Sequence, residues 1–251
     1  MKSVLYILLT FLLFWLLLGE RIPQNHNYHH FADRQMLYDI PNFWNVVSNA
    51  GFVLLGVWGF FKMKNKKSSP AKKVQLTMSI AIFLTGFGSA YYHYNPNNFT
   101  LIADRIPMTI VFASFFILVL YRKLEDSSVF TWYLPLLAVS AITVLYWYIS
   151  EQKGEGDLRP YAIVQYFPIL ITGYFLTEKS FFQQNKTILW AILFYALAKI
   201  FEYLDLAISE NFAMSGHPLK HFSASISCWF LIKWASAKST KLNSTNETKK
   251  I

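Results

Sequence analysis

Ser89, His93 and Asp104 stand close together in the stretch GFGSAYYHYNPNNFTLIADRIPM, and far along the chain SGHPLKHFSAS supplies His217 and His221. Ser89 and His93 are four residues apart, as are His217 and His221, so each pair shares one face of a helix. If His93, His217 and His221 converge at one level of a bundle, they form a set of three imidazoles with an open fourth position, a common layout of a catalytic zinc site. A zinc ion so held keeps a water in that position and lowers its pKa towards ~7. Asp104 is placed to orient or deprotonate the water. Ser89 is placed to hydrogen-bond the oxyanion. Each residue also has a plainer reading: an interfacial or capping histidine, a small packing serine beside Gly86 and Gly88, an Asp104 that caps its helix or pairs with Arg105. A Ser89 nucleophile with a histidine base is a further alternative, but it leaves His217, His221 and Asp104 without a role.

These residues have to be positioned by membrane helices. Of the 251 residues 54% are hydrophobic and only 15% charged, against about 25% charged in an ordinary soluble domain. Eight stretches approach the ~20 apolar residues of a span: 4–18, 43–61, 74–92, 105–121, 132–149, 161–176, 188–206 and 219–235. The first lacks a small-residue cleavage site and reads as an uncleaved anchor, with a signal peptide as the alternative. Sixteen of the 23 lysines and arginines fall on one side of these stretches, six of them in the loop KMKNKKSSPAKK. Six fall on the other side, and Lys199 lies inside a span. The positive-inside rule then puts both termini in the cytoplasm and the histidines near the extracytoplasmic face. On this reading Asp104 opens the fourth span with Pro107 in its first turn, where a missing N–H costs least. The expected fold class is all-α, a polytopic membrane helical bundle. It divides into an N-terminal transmembrane anchor over 1–20, an extracytoplasmic loop over 21–41, a seven-span catalytic core over 42–237 and a disordered cytoplasmic tail over 238–251.

The net charge of +9 follows from that asymmetry, and no nucleic-acid recognition module surrounds the lysines. Cys228, the only cysteine, excludes an intramolecular disulfide framework. In ALAKIFEYLDLAIS, Lys199, Glu202 and Asp205 are spaced by three and so share a helix face. They read as a structural ion pair of Lys199 with Glu202, or as partners that fix the tautomer of a metal-bound histidine. Tyr92, Arg159, Tyr161 and Gln165 sit at outer helix ends, where they contact a lipid headgroup or anchor the interface. Ionisable residues cluster at one face and no two-fold hydropathy repeat is evident, which argues against a transporter.

Ser-x3-His, an Asp eleven residues later followed by Pro107 and Met108, and His-x3-His in the last span resemble the alkaline ceramidase family, in a bacterial-type form. IPNFWNVVSNAGF is similar to the Asn- and Ser-bearing first core span of that family. The resemblance extends to the wider CREST group, which includes progestin/adiponectin-type receptors and lipid-remodelling proteins of GPI anchors. It implies a seven-span core, one zinc ion per chain and hydrolysis of the amide bond of a ceramide-like membrane lipid to a sphingoid base and a fatty acid. No obligate protein partner is implied. The alternatives are a phospholipid or GPI-lipid acyl hydrolase, or a lipid-binding receptor without hydrolysis. Eukaryotic members also bind calcium through an acidic segment before the first core span. Here Asn42 stands where a Glu is expected, and His26, His29 and His30 do not suit calcium, so Asp33, Asp39 and Asn45 make a doubtful Ca2+ site.

Overall fold

The computed structural model describes residues 2–212 and 214–237, so the expected tail over 238–251 lies outside the described residues. These residues form helices and no strand. In chain order they are α1 (Lys2–Leu18), α2 (Phe43–Val47), α3 (Ala50–Lys64), α4 (Pro70–Tyr94), α5 (Asn98–Leu124), α6 (Tyr133–Gln152), α7 (Arg159–Leu176), α8 (Lys179–Tyr203), α9 (Asp205–Asn211) and α10 (Gly216–Ser236).

Fewer helices pass as membrane spans than the eight apolar stretches suggest. Phe43–Lys64, Pro70–Tyr94, Asn98–Leu124 and Ser127–Gln152 are long and apolar enough to cross a membrane. The pair α8 and α9, bent by 71°, makes a fifth if counted as one span. The shortfall has a chemical reason. α1 is only 17 residues long. α7 carries Arg159, Gln165 and Pro168, and α10 carries two histidines, Lys220, Lys233 and four serines. Arg159 and Gln165 of α7 and His217, His221, Ser223 and Ser225 of α10 are buried inside the bundle.

Neighbour by neighbour, α3, α4, α5, α7, α8 and α10 close into a ring, with α10 returning to α3. α6 packs across α5 and α7, and α1 touches α7. Large apolar side chains such as Leu54, Phe61, Leu84, Phe87, Ile142, Leu170 and Trp190 are exposed on the outside. Ser48, Asn49, Ser89, Thr109, Ser114, Thr172 and Ser223 are buried inside. That inversion suits a bundle whose solvent is lipid. Lipid tails are as apolar as leucine, so such helices associate through close small-residue contacts and internal hydrogen bonds.

One such contact builds the site. A Cβ on Gly88 of α4 would stand 2.0 Å from the carbonyl oxygen of Ala103 on α5, so only glycine lets the two backbones meet there. Pro107 is the reason that this carbonyl is free, because it has no N–H to donate four residues back to Ala103. Pro107 is therefore not in a first turn. α5 begins nine residues earlier, at Asn98, where Asn97 and Thr100 form a capping box. Asp104 accordingly lies in the second turn of a longer helix, facing the end of α4 that bears Ser89 and His93.

The far end of the ring is tied by Arg122. Its guanidinium donates to the carbonyls of Trp234 at 2.7 Å and Ala237 at 2.8 Å and to Asn185 Oδ1 at 3.2 Å. Asn185 has non-helical backbone angles inside α8, a kink that frees its side chain for this role.

Candidate functional site

α4 delivers Ser89 and His93 from its C-terminal end, and α10 delivers His217 and His221 from its N-terminal end. Gly216 admits that approach: a Cβ there would meet the Phe201 carbonyl oxygen at 2.3 Å. The three imidazoles are buried, with ring centroids 4.7 Å (His93–His217), 4.9 Å (His93–His221) and 5.0 Å (His217–His221) apart. One nitrogen of each lies within 4.8 Å of the others, so the three could hold a metal ion.

Hydrogen bonding supports that fit. Nδ1 of His93 and Nε2 of His221 are buried without a partner, and an unpaired buried polar atom costs about 1–3 kcal/mol. A cation facing their lone pairs removes the cost. His221 Nδ1 lies 2.7 Å from Ser48 Oγ, whose own proton is directed to the Asn45 carbonyl at 3.2 Å. Nδ1 is thus the protonated nitrogen and Nε2 presents a lone pair, as second-sphere hydrogen bonds to ligating histidines commonly arrange. Ser48 was part of the resembling segment, but its role is visible only once α2 is seen against α10.

Asp104 and Ser89 are both buried. With His221 both line a cavity of about 470 Å³ inside the ring. Apolar walls from Phe52, Ile82, Phe112, Phe115, Ile169 and Leu231 run on from this polar corner. His93 and His217 are off that wall, covered by Phe31, whose ring lies 4.5 Å and 4.7 Å from theirs.

Lys199 and Glu202 form the ion pair read from the sequence, at 2.7 Å, and Lys220 joins them at 2.5 Å from the other Glu202 oxygen. Lys220, counted from the sequence among the outer-side charges, is an interior residue on α10. Its Nζ is also 3.4 Å from His217 Nε2. Asp205 does not share their helix face, because α8 ends at Tyr203 and α9 departs at 71°. The carboxylate of Asp205 accepts the backbone N–H of His217 at 2.7 Å and that of Ala32 at 3.0 Å. It therefore caps α10 and ties residue 32 to it, rather than fixing an imidazole ring.

Of the residues suggested for substrate contact, Tyr161 and Gln165 are on the cavity wall, Gln165 donating to Tyr195 at 2.6 Å. Tyr92 and Arg159 are not. Arg159 pairs with Asp157 at 2.8 Å and donates to the Trp15 carbonyl at 3.0 Å, fastening the end of α1 to α7.

Residues 21–42 lie across the site as a cap. Asn42 has left-handed backbone angles, which asparagine tolerates, and donates to the His93 carbonyl at 2.8 Å. Asp33 accepts the backbone N–H groups of Gln35 and Asn45, and so is engaged in holding the cap to α2. Ile22 accepts from Leu158 N–H at 2.8 Å. His29, expected in an exposed loop, is instead half-buried between Tyr92 OH and Asn98 Oδ1, each at 2.9 Å.

Burial pushes the His29 imidazole below its ordinary value of 6.5, with Arg105, His30 and His26 acting in the same direction. A histidine with a depressed folded pKa stabilises the cap fully above its unfolded value, and that stability falls as pH drops through the window below about 6.5. Protection factors of amides in residues 21–42, which are corrected for the intrinsic fall of exchange rate with pH, should therefore decrease as pH drops below about 6.5, and His29→Gln should flatten this dependence. An unchanged pH profile in the variant would place the sensitivity elsewhere.

A family model described as Ceramidase matches residues 32–251 of this chain. No curated protein matches it, and no solved structure does.

Proposed function

This chain belongs to the ceramidase family, and from that premise we propose that it is a zinc-dependent membrane lipid amidase that cleaves ceramide-like lipids to a sphingoid base and a fatty acid. The observation that carries the reading is the convergence of His93, His217 and His221 next to Ser89 and Asp104 at the polar end of an apolar cavity. An amide lipid fits that shape: chains along the apolar wall, scissile carbonyl at the polar corner. Zinc, held by the three imidazoles, supplies Lewis-acid polarisation of the carbonyl and of the attacking water.

The remaining chemistry belongs to the chain. The Asp104 carboxylate takes a proton from the water and returns it to the amide nitrogen as the C–N bond breaks, so the amine leaves neutral. The Ser89 hydroxyl, which lines the same cavity as Asp104, donates to the carbonyl oxygen as negative charge grows there. Phe31 and the cap keep bulk water from His93 and His217.

The same reading takes the core as seven spans over 42–237 with α1 as an added anchor, both termini cytoplasmic and the site near the extracytoplasmic face. Its support is the distribution of lysine and arginine, above all the six lysines of the α3–α4 connection. Reporter fusions at that connection test it, and an outward location would overturn the orientation.

The activity is tested by metal analysis of detergent-purified protein together with fatty-acid release from labelled ceramide and from a phospholipid. About one zinc per chain with ceramide cleavage is the expected result. Cleavage of phospholipid alone would make the protein an ester hydrolase of the same superfamily, and zinc with neither activity would turn the reading towards a receptor.

A further inference from the structure

Arg105 follows Asp104 on α5, and its guanidinium is buried, the residue being 4% exposed. The rings of Trp147, Tyr161 and Tyr28 box it at 4.0, 4.8 and 5.7 Å. Nη2 donates to Gln24 Oε1 at 2.6 Å, while Nη1 is buried with no partner. Among the described residues no carboxylate stands within ion-pair distance of it. Arg105 nevertheless lines the cavity, together with Asp104, Lys199, Glu202 and Lys220. Those are three cations against two carboxylates, and Glu202 is already shared by both lysines.

A buried guanidinium is costly unless an anion meets it, and aromatic faces return only part of the cost. If Arg105 served packing alone, an apolar side chain would fill the same aromatic box without an orphaned N–H. The planar guanidinium instead suits oxyanions, which it can bind through two parallel N–H donors.

We infer that Arg105 is a seat for an oxyanion carried by the bound lipid, a phosphate, sulfonate or carboxylate. The inference rests on the reading of this cavity as that of a lipid amidase, and adds to it a preference for lipids bearing a negative charge. Two sources supply that chemistry: a headgroup on the substrate, or the carboxylate of the released fatty acid. The box is built by α6, α7 and the cap, whereas the histidines come from α4 and α10. A group at Arg105 therefore meets a different part of the ring from the bond being cut, which favours the headgroup.

The test is equilibrium binding to the full chain in detergent micelles, read by displacement of a fluorescent lipid. Ceramide phosphate is compared with ceramide, and palmitate with palmityl alcohol. Wild-type protein should bind ceramide phosphate about ten- to a hundredfold more tightly than ceramide, the range of one or two charge-assisted hydrogen bonds. The ratio should fall towards one in Arg105→Gln and be largely kept in Arg105→Lys. If only the palmitate pair discriminates, the seat takes the product carboxylate. Equal binding within both pairs by wild-type protein would overturn the inference without any variant, as would an undiminished preference in Arg105→Gln. Because binding is read without turnover, a protein that prefers the anions but hydrolyses no amide among these lipids would sink the amidase reading and leave the anion seat standing.

Discussion

Replacing His221 with alanine is expected to remove the metal and the activity together, with zinc content falling from about one per chain to near zero and amide hydrolysis to background. His221 is the only one of the three histidines on the cavity wall, so its loss also removes the contact between the cluster and the substrate. With Nε2 of His221 gone, His93 and His217 make a two-ligand site, and divalent metals bound by two imidazoles alone dissociate readily. Full activity with the metal lost would rule out the zinc-dependent mechanism.

Ser48→Ala separates ligation from orientation. Without Ser48 Oγ at 2.7 Å, His221 Nδ1 has no acceptor and the ring is free to adopt the other tautomer. Losing such an outer hydrogen bond typically costs 10–100-fold in metal affinity. Ser48→Ala should therefore be rescued by excess zinc while His221→Ala is not, a contrast that mere loss of folding would not produce.

The parts of this site that were legible in the sequence are those written by helical spacing. His217 with His221 and Ser89 with His93 lie four apart, and a four-residue interval survives whatever the tertiary structure does. Lys199 and Glu202, three apart, paired for the same reason. Asp205 failed by that logic, since α8 ends two residues before it without a proline or glycine to mark the end. The start of α5 was written in the Asn97–Thr100 capping box, but the apolar stretch drew attention to residue 105. Ser48, Gln24 and Phe31 carry no such signal. Ser48 and His221 are 173 residues apart, and only the closing of α10 against α2 and α3 brings them together. Arg105 and Lys220 looked like outer-side charges because a charge beside an apolar run resembles a helix flank; the ring buries Arg105, and Lys220 is turned onto the cavity wall and paired with Glu202. Among the described residues four helices, or five with the bent pair, qualify as spans by length and composition, because polar residues that line a cavity lower the mean hydropathy of the remaining stretches.

Replacing Asp104 with asparagine is the second large effect, and it separates proton transfer from metal binding. Asparagine matches aspartate in size, so the close packing of α5 against α4 at Gly88 is preserved. What it loses is the carboxylate that, in the proposed mechanism, takes a proton from water and hands it to the amine. General acid–base groups contribute typically 10²–10⁴-fold, and kcat should fall by about that factor while KM and zinc content stay near wild-type values. Ser89→Ala should be milder in comparison, since removing one oxyanion donor costs about 10²–10³. The ordering decides between mechanisms. Were Ser89 the nucleophile, its alanine variant would be as inactive as any and Asp104→Asn would be the lesser lesion. A zinc content that fell with Asp104→Asn would instead make Asp104 a fourth ligand, leaving the proton without a carrier in this corner of the cavity.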